Sequence, residues 1–325
     1  MHAFAFEQRQ LCRGLSVSAM NATRAWLPLG FEVESAQLIW RWLGEKRCTE
    51  PFFADAWRAQ ETAQRSICRT NLTATQAICQ DLPQVPIKAL IFHSSRCGST
   101  LLMQMLACLP ECIALSEPPV LEACLQYLHR NADPITCAKQ WLPLILAGLS
   151  QQRFANEQFC VIKLDSWHIC DLPLLRAALP ETPFYFLYRQ PQAILTSHQR
   201  QPGPQMVPGL LDHARLGISS HSVPFNEWGD ALLQCYFQCA LDYAQQSSLN
   251  LLHYQQLPSM LWQHLLAEWG IYLSQSEIAL LQERSKCHGK YLGNFQGDPP
   301  TLAPPPVSSA LQTLYEKLEE LRFRY

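Results

Sequence analysis

Two short stretches of the chain carry residue types able to grip anions. The first, residues 94–100, reads Ser-Ser-Arg-Cys-Gly-Ser-Thr, a small hydroxyl-rich turn. It lies between an apolar run, Ala89–Phe92, and a helical pattern with Leu101, Leu102, Met105 and Leu109 on one face. Strand, tight loop and helix start in that order make a site for a phosphate-like group. The first helical turn leaves backbone N–H groups without partners, and the helix dipole adds positive potential there. Gly98 allows close backbone approach, Ser99 and Thr100 add hydroxyl donors, and Arg96 supplies a charged fork. The plain alternative is a Gly/Ser turn with a solvated arginine. The second stretch holds Arg189 and Ser197, eight positions apart (197 − 189), one at the end of an apolar run and the other two turns into the next helix. Guanidinium and hydroxyl can converge there on a second anion.

The loop departs from the nucleoside-triphosphate pattern G-x-x-x-x-G-K-[ST]. His93 takes the first glycine's place, Gly98 and Thr100 fit, and Ser99 stands where the lysine belongs. A kinase or nucleotide hydrolase lacking that lysine would be crippled. A basic residue followed by x-Gly-[Ser/Thr]-[Ser/Thr], as in Arg96-Cys97-Gly98-Ser99-Thr100, instead resembles the 5′-phosphosulfate loop of sulfotransferases that use 3′-phosphoadenosine 5′-phosphosulfate (PAPS). In that family a strand-end arginine and a helix serine, joined by a similar Arg-x-Pro sequence, grip the 3′-phosphate; here the run is Arg189-Gln190-Pro191 through Ser197. The resemblance covers about residues 88–290. It includes Leu252-His253-Tyr254-Gln255-Gln256-Leu257, similar to the family's Arg-Tyr-Glu-Asp-Leu stretch with both acidic residues replaced by Gln. The Ser-x-Arg-x-Gly-Ser-Thr-Leu-Leu…Ser-Glu-Pro layout is nearer the bacterial and tyrosylprotein branches than the steroid-type branch.

The resemblance implies PAPS as co-substrate, no metal in the reaction, and sulfuryl transfer to a small-molecule or peptide acceptor. It places the nucleotide on Ser95, Arg96, Cys97, Gly98, Ser99, Thr100, Arg189 and Ser197. Arg284 and Lys286, in a basic cluster with His288 and Lys290, are further candidates, with a solvated helix end as the alternative. Glu117, in Ser116-Glu117-Pro118-Pro119, takes the place of the tyrosylprotein-type base. A helix-start carboxylate is the competing reading of that residue, and His93, His168 and His198 are rival bases. Lys163, closing the apolar run Phe159–Leu164, resembles the lysine that stabilises the leaving group. Its alternative is an ion pair with Asp165. A catalytically silent nucleotide-binding scaffold is the non-enzymatic reading.

The elements that must position these residues alternate. Strand-like runs at Ala89–Phe92, Cys112–Leu115, Phe159–Leu164, Pro183–Tyr188 and Leu249–Tyr254 are separated by helical patterns at Val120–Arg130, Ile135–Gly148, Leu172–Leu179, Gln192–Gln199 and Asn226–Gln245. This order predicts an α/β protein with a central parallel sheet flanked by helices, the P-loop-like sulfotransferase fold of the resemblance. In the helix over Asn226–Gln245, a stripe of Trp228, Leu232, Tyr236, Phe237, Ala240 and Leu241 is the expected core face. Gln201–Pro208, rich in Pro and Gly, reads as a mobile loop over the site. Residues 1–87 carry no chemical motif and read as a small, mostly helical appendage or lid on the 88–325 domain. Within it, Phe31–Val33 and Leu38–Trp42 suggest a hairpin or a strand and helix, and an amphipathic helix runs from Pro51 to about Cys68. The prolines of Asp81–Pro86 mark the linker, and the charged C-terminal helix reads as a surface appendage.

With 325 residues, 48% hydrophobic content and 16% charged residues, the chain can bury a sizeable core. A formal net charge of −2 gives no sign of nucleic-acid or membrane-surface binding. The 14 cysteines fall mostly within apolar patterns, without Cys-x-x-Cys or zinc spacing, and read as reduced core residues. There is no signal-peptide pattern, and the apolar stretch Trp141–Leu149 is too short to span a bilayer. The expectation is a cytoplasmic protein; the oligomeric state is not encoded in any pattern found.

Overall fold

A computed structural model describes residues 25–58, 66–211, 213–218, 223–287, 289 and 305–323. Five strands form one sheet in the order β5-β6-β4-β7-β8: β4 (Ile87–His93), β5 (Cys112–Ser116), β6 (Phe159–Lys163), β7 (Phe184–Tyr188) and β8 (Asn250–His253). β4 runs parallel to β7, with Leu90 opposite Phe184, and β7 runs parallel to β8, with Phe186 opposite Leu251. β5, β6 and β7 are buried at every position, which is why they read as unbroken apolar runs rather than as alternating ones. The expected α/β class with a central parallel sheet and flanking helices is what the chain adopts.

A three-stranded antiparallel sheet precedes it: β1 (Trp26–Glu32), β2 (Gln37–Trp42) and β3 (Ile67–Thr70). This corrects two expectations. The described part of residues 1–87 is not mostly helical, since it holds this sheet beside two helices, α1 (Phe53–Arg58) and α2 (Leu72–Asp81). Nor does a helix run to Cys68, because Ile67 and Cys68 belong to β3 and pair with Arg41 and Trp40. Ladder pairing and two buried threonines decide the matter. Trp40 Nε1 donates to Thr70 Oγ1 at 2.8 Å, and that hydroxyl lies 2.8 Å from Thr75 Oγ1. Residues 1–24 lie outside the described part.

The remaining α-helices of seven or more residues are α3 (Ser99–Leu106), α4 (Pro119–His129), α5 (Pro134–Leu149), α6 (Leu172–Ala178), α7 (Pro191–Arg200), α8 (Trp228–Gln245), α9 (Gln275–Ser285) and α10 (Ser309–Arg322). By backbone contacts the chain divides into two compact units. One comprises residues 1–87, 109–161 and 173–181; the other comprises 88–108, 162–172 and 182–325. In the first, Phe31 packs edge-on against Trp141 of α5 with centroids 4.8 Å apart, and against Tyr127 of α4 at 5.1 Å. In the second, the expected stripe on α8 is buried throughout.

One further expectation is corrected in the second unit. The terminal helix α10 is no surface appendage: Leu311 and Leu318 are fully buried, and Tyr188 of β7 donates a hydrogen bond to Glu319. Its start is fixed where the Ser308 N–H and hydroxyl donate to Asp230 of α8 at 2.9 and 2.7 Å. Within the expected loop, residues 201–208, a short 3₁₀ turn at Pro204–Met206 buries Gln205. Among the described residues no helix is long and apolar enough to cross a membrane.

Candidate functional site

The loop after β4 takes an unusual backbone. Ser95 and Arg96 both have positive φ, 66° and 48°, and Gly98 follows at 83°. A left-handed turn costs a non-glycine residue roughly 1–2 kcal/mol, so two in succession require surroundings that hold them. Those surroundings are hydrogen bonds. The Ser95 N–H donates to His93 Nδ1 at 3.0 Å, Ser94 N–H to Leu187 O at 3.0 Å, and the Cys97 thiol to the same carbonyl at 3.1 Å. Burial pushes the Cys97 thiol up, which marks it as a packing group. Gly98 then caps α3 in a left-handed turn without a side-chain hydrogen bond.

Ser95 Oγ is held twice. His198 Nε2 lies 3.1 Å away and Gln205 Nε2 donates at 3.0 Å. His198 Nδ1 accepts the Gly203 N–H at 3.2 Å, so the ring proton sits on Nε2 and points to the serine. With both lone pairs taken, the Ser95 hydroxyl is left to donate. Gln205 is fixed in turn, its carbonyl accepting from Trp228 Nε1 at 3.0 Å. The same Nδ1 geometry recurs at His93 and at His168, which accepts the Asp165 N–H at 3.3 Å. All three histidines thus spend the Nδ1 lone pair on a backbone N–H.

The two predicted anchors meet. Arg189 Nη1 donates to Arg96 O at 3.4 Å, and its guanidinium carbon stands 4.3 Å from the centroid of the Tyr254 ring. Tyr254 also covers Gly98: a Cβ added there would lie 3.0 Å from Tyr254 Cδ2 and 3.1 Å from Cε2. Glycine is therefore required twice, by φ and by the ring. Arg96 itself donates to the carbonyl of Gln201, tying the loop to the end of α7. Ser197 is half-buried on α7, and its carbonyl accepts from the Gln201 N–H at 3.2 Å. Tyr254 was missed as a site residue. Its only signal was its place in the stretch similar to Arg-Tyr-Glu-Asp-Leu.

The other candidates divide. Arg284 donates to Gln104 Oε1 of α3 at 3.1 Å and to Cys287 O at 3.4 Å. Gly289 packs on the same helix start, where a Cβ would stand 3.0 Å from the Leu101 backbone nitrogen. Lys286 is exposed and pairs with Glu283 one turn back, the solvated helix end. His288 and Lys290 lie outside the described residues. Lys163 is fully buried at the end of β6, near enough to Cys97 to favour its thiolate. Glu117, half-buried at the end of β5, has φ 55°, a left-handed turn between the strand and the Pro118-Pro119 start of α4.

No protein-family model matches the chain, and no curated protein matches it. Among solved structures it is similar to a sulfotransferase domain from the curacin biosynthetic pathway, at 14% identity and TM-score 0.44, over 73% of this chain and 98% of that one. It is also similar to a sulfotransferase from Alicyclobacillus acidocaldarius, at 11% identity and TM-score 0.39, over 74% and 97%. What the fold and site define is an α/β protein whose glycine-capped loop after β4 is braced by Arg189 and Tyr254.

Proposed function

We propose that the protein is a sulfotransferase that moves a sulfuryl group from PAPS to a hydroxyl or amine of a small-molecule or peptide acceptor. The observation that carries this reading is the junction at Tyr254, whose ring touches Gly98 of the loop and carries Arg189 on its other contact. One anchor for a 5′-phosphosulfate and one for a 3′-phosphate, held at a fixed spacing, suit a nucleotide phosphorylated at both ends. Residues 88–325 then form the nucleotide-binding part and residues 1–87 a packing layer.

PAPS supplies an activated sulfur: the acceptor atom bonds to it as the bond to the bridging phosphate oxygen breaks, the acceptor loses a proton, and PAP departs. In this reading the α3 amides and the Ser95, Ser99 and Thr100 hydroxyls hold the 5′ end, with the Arg96 charge beside them. Arg189 and Ser197 hold the 3′-phosphate. Lys163 offsets charge on the departing phosphate, and Glu117 takes the acceptor's proton. Of the C-terminal cations, Arg284 contributes by fixing α3, and Lys286 adds little.

Heat denaturation with each nucleotide tests the reading. PAP should raise the melting temperature well above the effect of equal AMP or ATP. Stabilisation by ATP with no preference for PAP would overturn it in favour of a kinase or hydrolase.

A further inference from the structure

The second unit gathers three thiols away from the anion loop. Cys170 lies in the 3₁₀ turn Ser166–Asp171 that follows β6, while Cys235 and Cys239 sit one turn apart on α8. Cys170 Sγ is 3.6 Å from Cys235 Sγ and 3.5 Å from Cys239 Sγ, and all three sulfurs lie within 4.8 Å of one another. Each residue is half-buried, so solvent ions can reach the group. A metal–sulfur bond of about 2.3 Å sets sulfurs about 3.8 Å apart in a tetrahedral site and about 4.0 Å apart in a trigonal one. Closing on an ion therefore needs the sulfurs to shift by at most about 1 Å. A disulfide would need two sulfurs to approach to about 2.05 Å and would always leave one thiol over.

From this geometry we infer that Cys170, Cys235 and Cys239 form a thiolate site for one soft closed-shell cation, Cu(I) or Zn(II) being the available kinds. Thiolates select such ions over hard ones. Three protein ligands complete a trigonal Cu(I) site, whereas Zn(II) would add a water. Binding exchanges three S–H bonds for three metal–sulfur bonds and releases three protons to solvent. The Arg215–Asp171 ion pair, 2.6 Å long and buried, fixes the turn that carries Cys170. The inference is independent of the sulfotransferase reading.

The test uses the full, reduced chain without oxygen. One equivalent of Cu(I) or Zn(II) is added, the complex is weighed by native mass spectrometry, and exposed thiols are alkylated and mapped. One ion per chain should bind, with Cys170, Cys235 and Cys239 protected and Cys48, Cys108 and Cys287 labelled as before. Cys170→Ser, Cys235→Ser and Cys239→Ser should each weaken binding by at least roughly 100-fold. Cys239→Ala provides a second variant where a serine is not tolerated, and circular dichroism checks the fold of each. Which ion survives a competing chelator identifies the metal. Equal labelling of the three thiols with and without metal would overturn the inference. So would unchanged affinity in folded variants, or isolation of the metal-free chain with two of the three thiols joined as a disulfide.

Discussion

Arg189 stands over Tyr254, its guanidinium carbon 4.3 Å from the ring centroid, while the edge of the same ring closes on Gly98. A residue of the last strand's exit thus sets the spacing between the loop and the second anchor. The cation–ring contact is worth about 0.5–2 kcal/mol, so Tyr254→Leu should weaken PAP binding roughly 2- to 30-fold. Tyr254→Phe keeps the ring and should bind PAP almost normally. Calorimetric titration of both variants decides it, and normal affinity in Tyr254→Leu would remove Tyr254 from the site.

For Arg189 itself the discriminating ligand is AMP, which lacks the 3′-phosphate. Arg189→Ala should cost about 1.5–3 kcal/mol of a charge-assisted contact, roughly ten- to hundredfold in PAP affinity, and scarcely alter AMP binding. Because Arg189 also donates to the Arg96 carbonyl, a structural role is the competing explanation. Equal losses for the two nucleotides would establish it.

The parallel strands were legible because burial on both faces leaves continuous apolar runs, and the strand–loop–helix order around residues 94–100 because its signals are local. What sequence could not reveal depends on contacts between distant residues. Gln205 reaches Ser95 across 110 positions, a contact that no local pattern announces. Cys170 meets Cys235 across 65, so no local cysteine spacing announces the cluster. The β1–β2 hairpin was one reading of Phe31–Val33 and Leu38–Trp42, but β3 went unread because it is four residues long, too short for periodicity, and is defined by its pairing with β2. The buried anchors of α10, Leu311 and Leu318, were hard to read because Glu316, Lys317, Glu319, Glu320 and Arg322 dilute its apolar stripe.

His253 precedes Tyr254 and is buried, which pushes its pKa below the ordinary value; nearby Glu319 opposes that shift and Arg322 adds to it. Its Nδ1 accepts the Gln255 N–H at 3.3 Å, so the folded state prefers the neutral ring. The unfolded chain binds the proton first as pH falls. The stabilising contribution is therefore full above the unfolded value of about 6.5 and is lost as pH drops from there to the lowered folded value. His253→Asn keeps an acceptor but cannot titrate. Melting temperatures of the two proteins should converge toward acid and diverge toward neutral pH, and parallel curves would refute the assignment.

Glu117 is the residue whose role is easiest to separate from folding. A general base acts on the acceptor's proton and does not hold the nucleotide, so Glu117→Gln should leave PAP affinity nearly intact. Turnover should fall by roughly 10²–10⁴-fold, the usual contribution of a positioned base. The amide nearly matches the carboxylate in size, so no cavity can account for the loss. If Glu117 serves only as a carboxylate at the start of α4, the same change should cost at most about 1 kcal/mol of stability and leave turnover unchanged. The left-handed backbone at Glu117 makes Glu117→Gly the useful second variant. Removing the side chain while relieving the turn should hold or raise stability and still abolish turnover, whereas a merely structural glutamate would show the reverse.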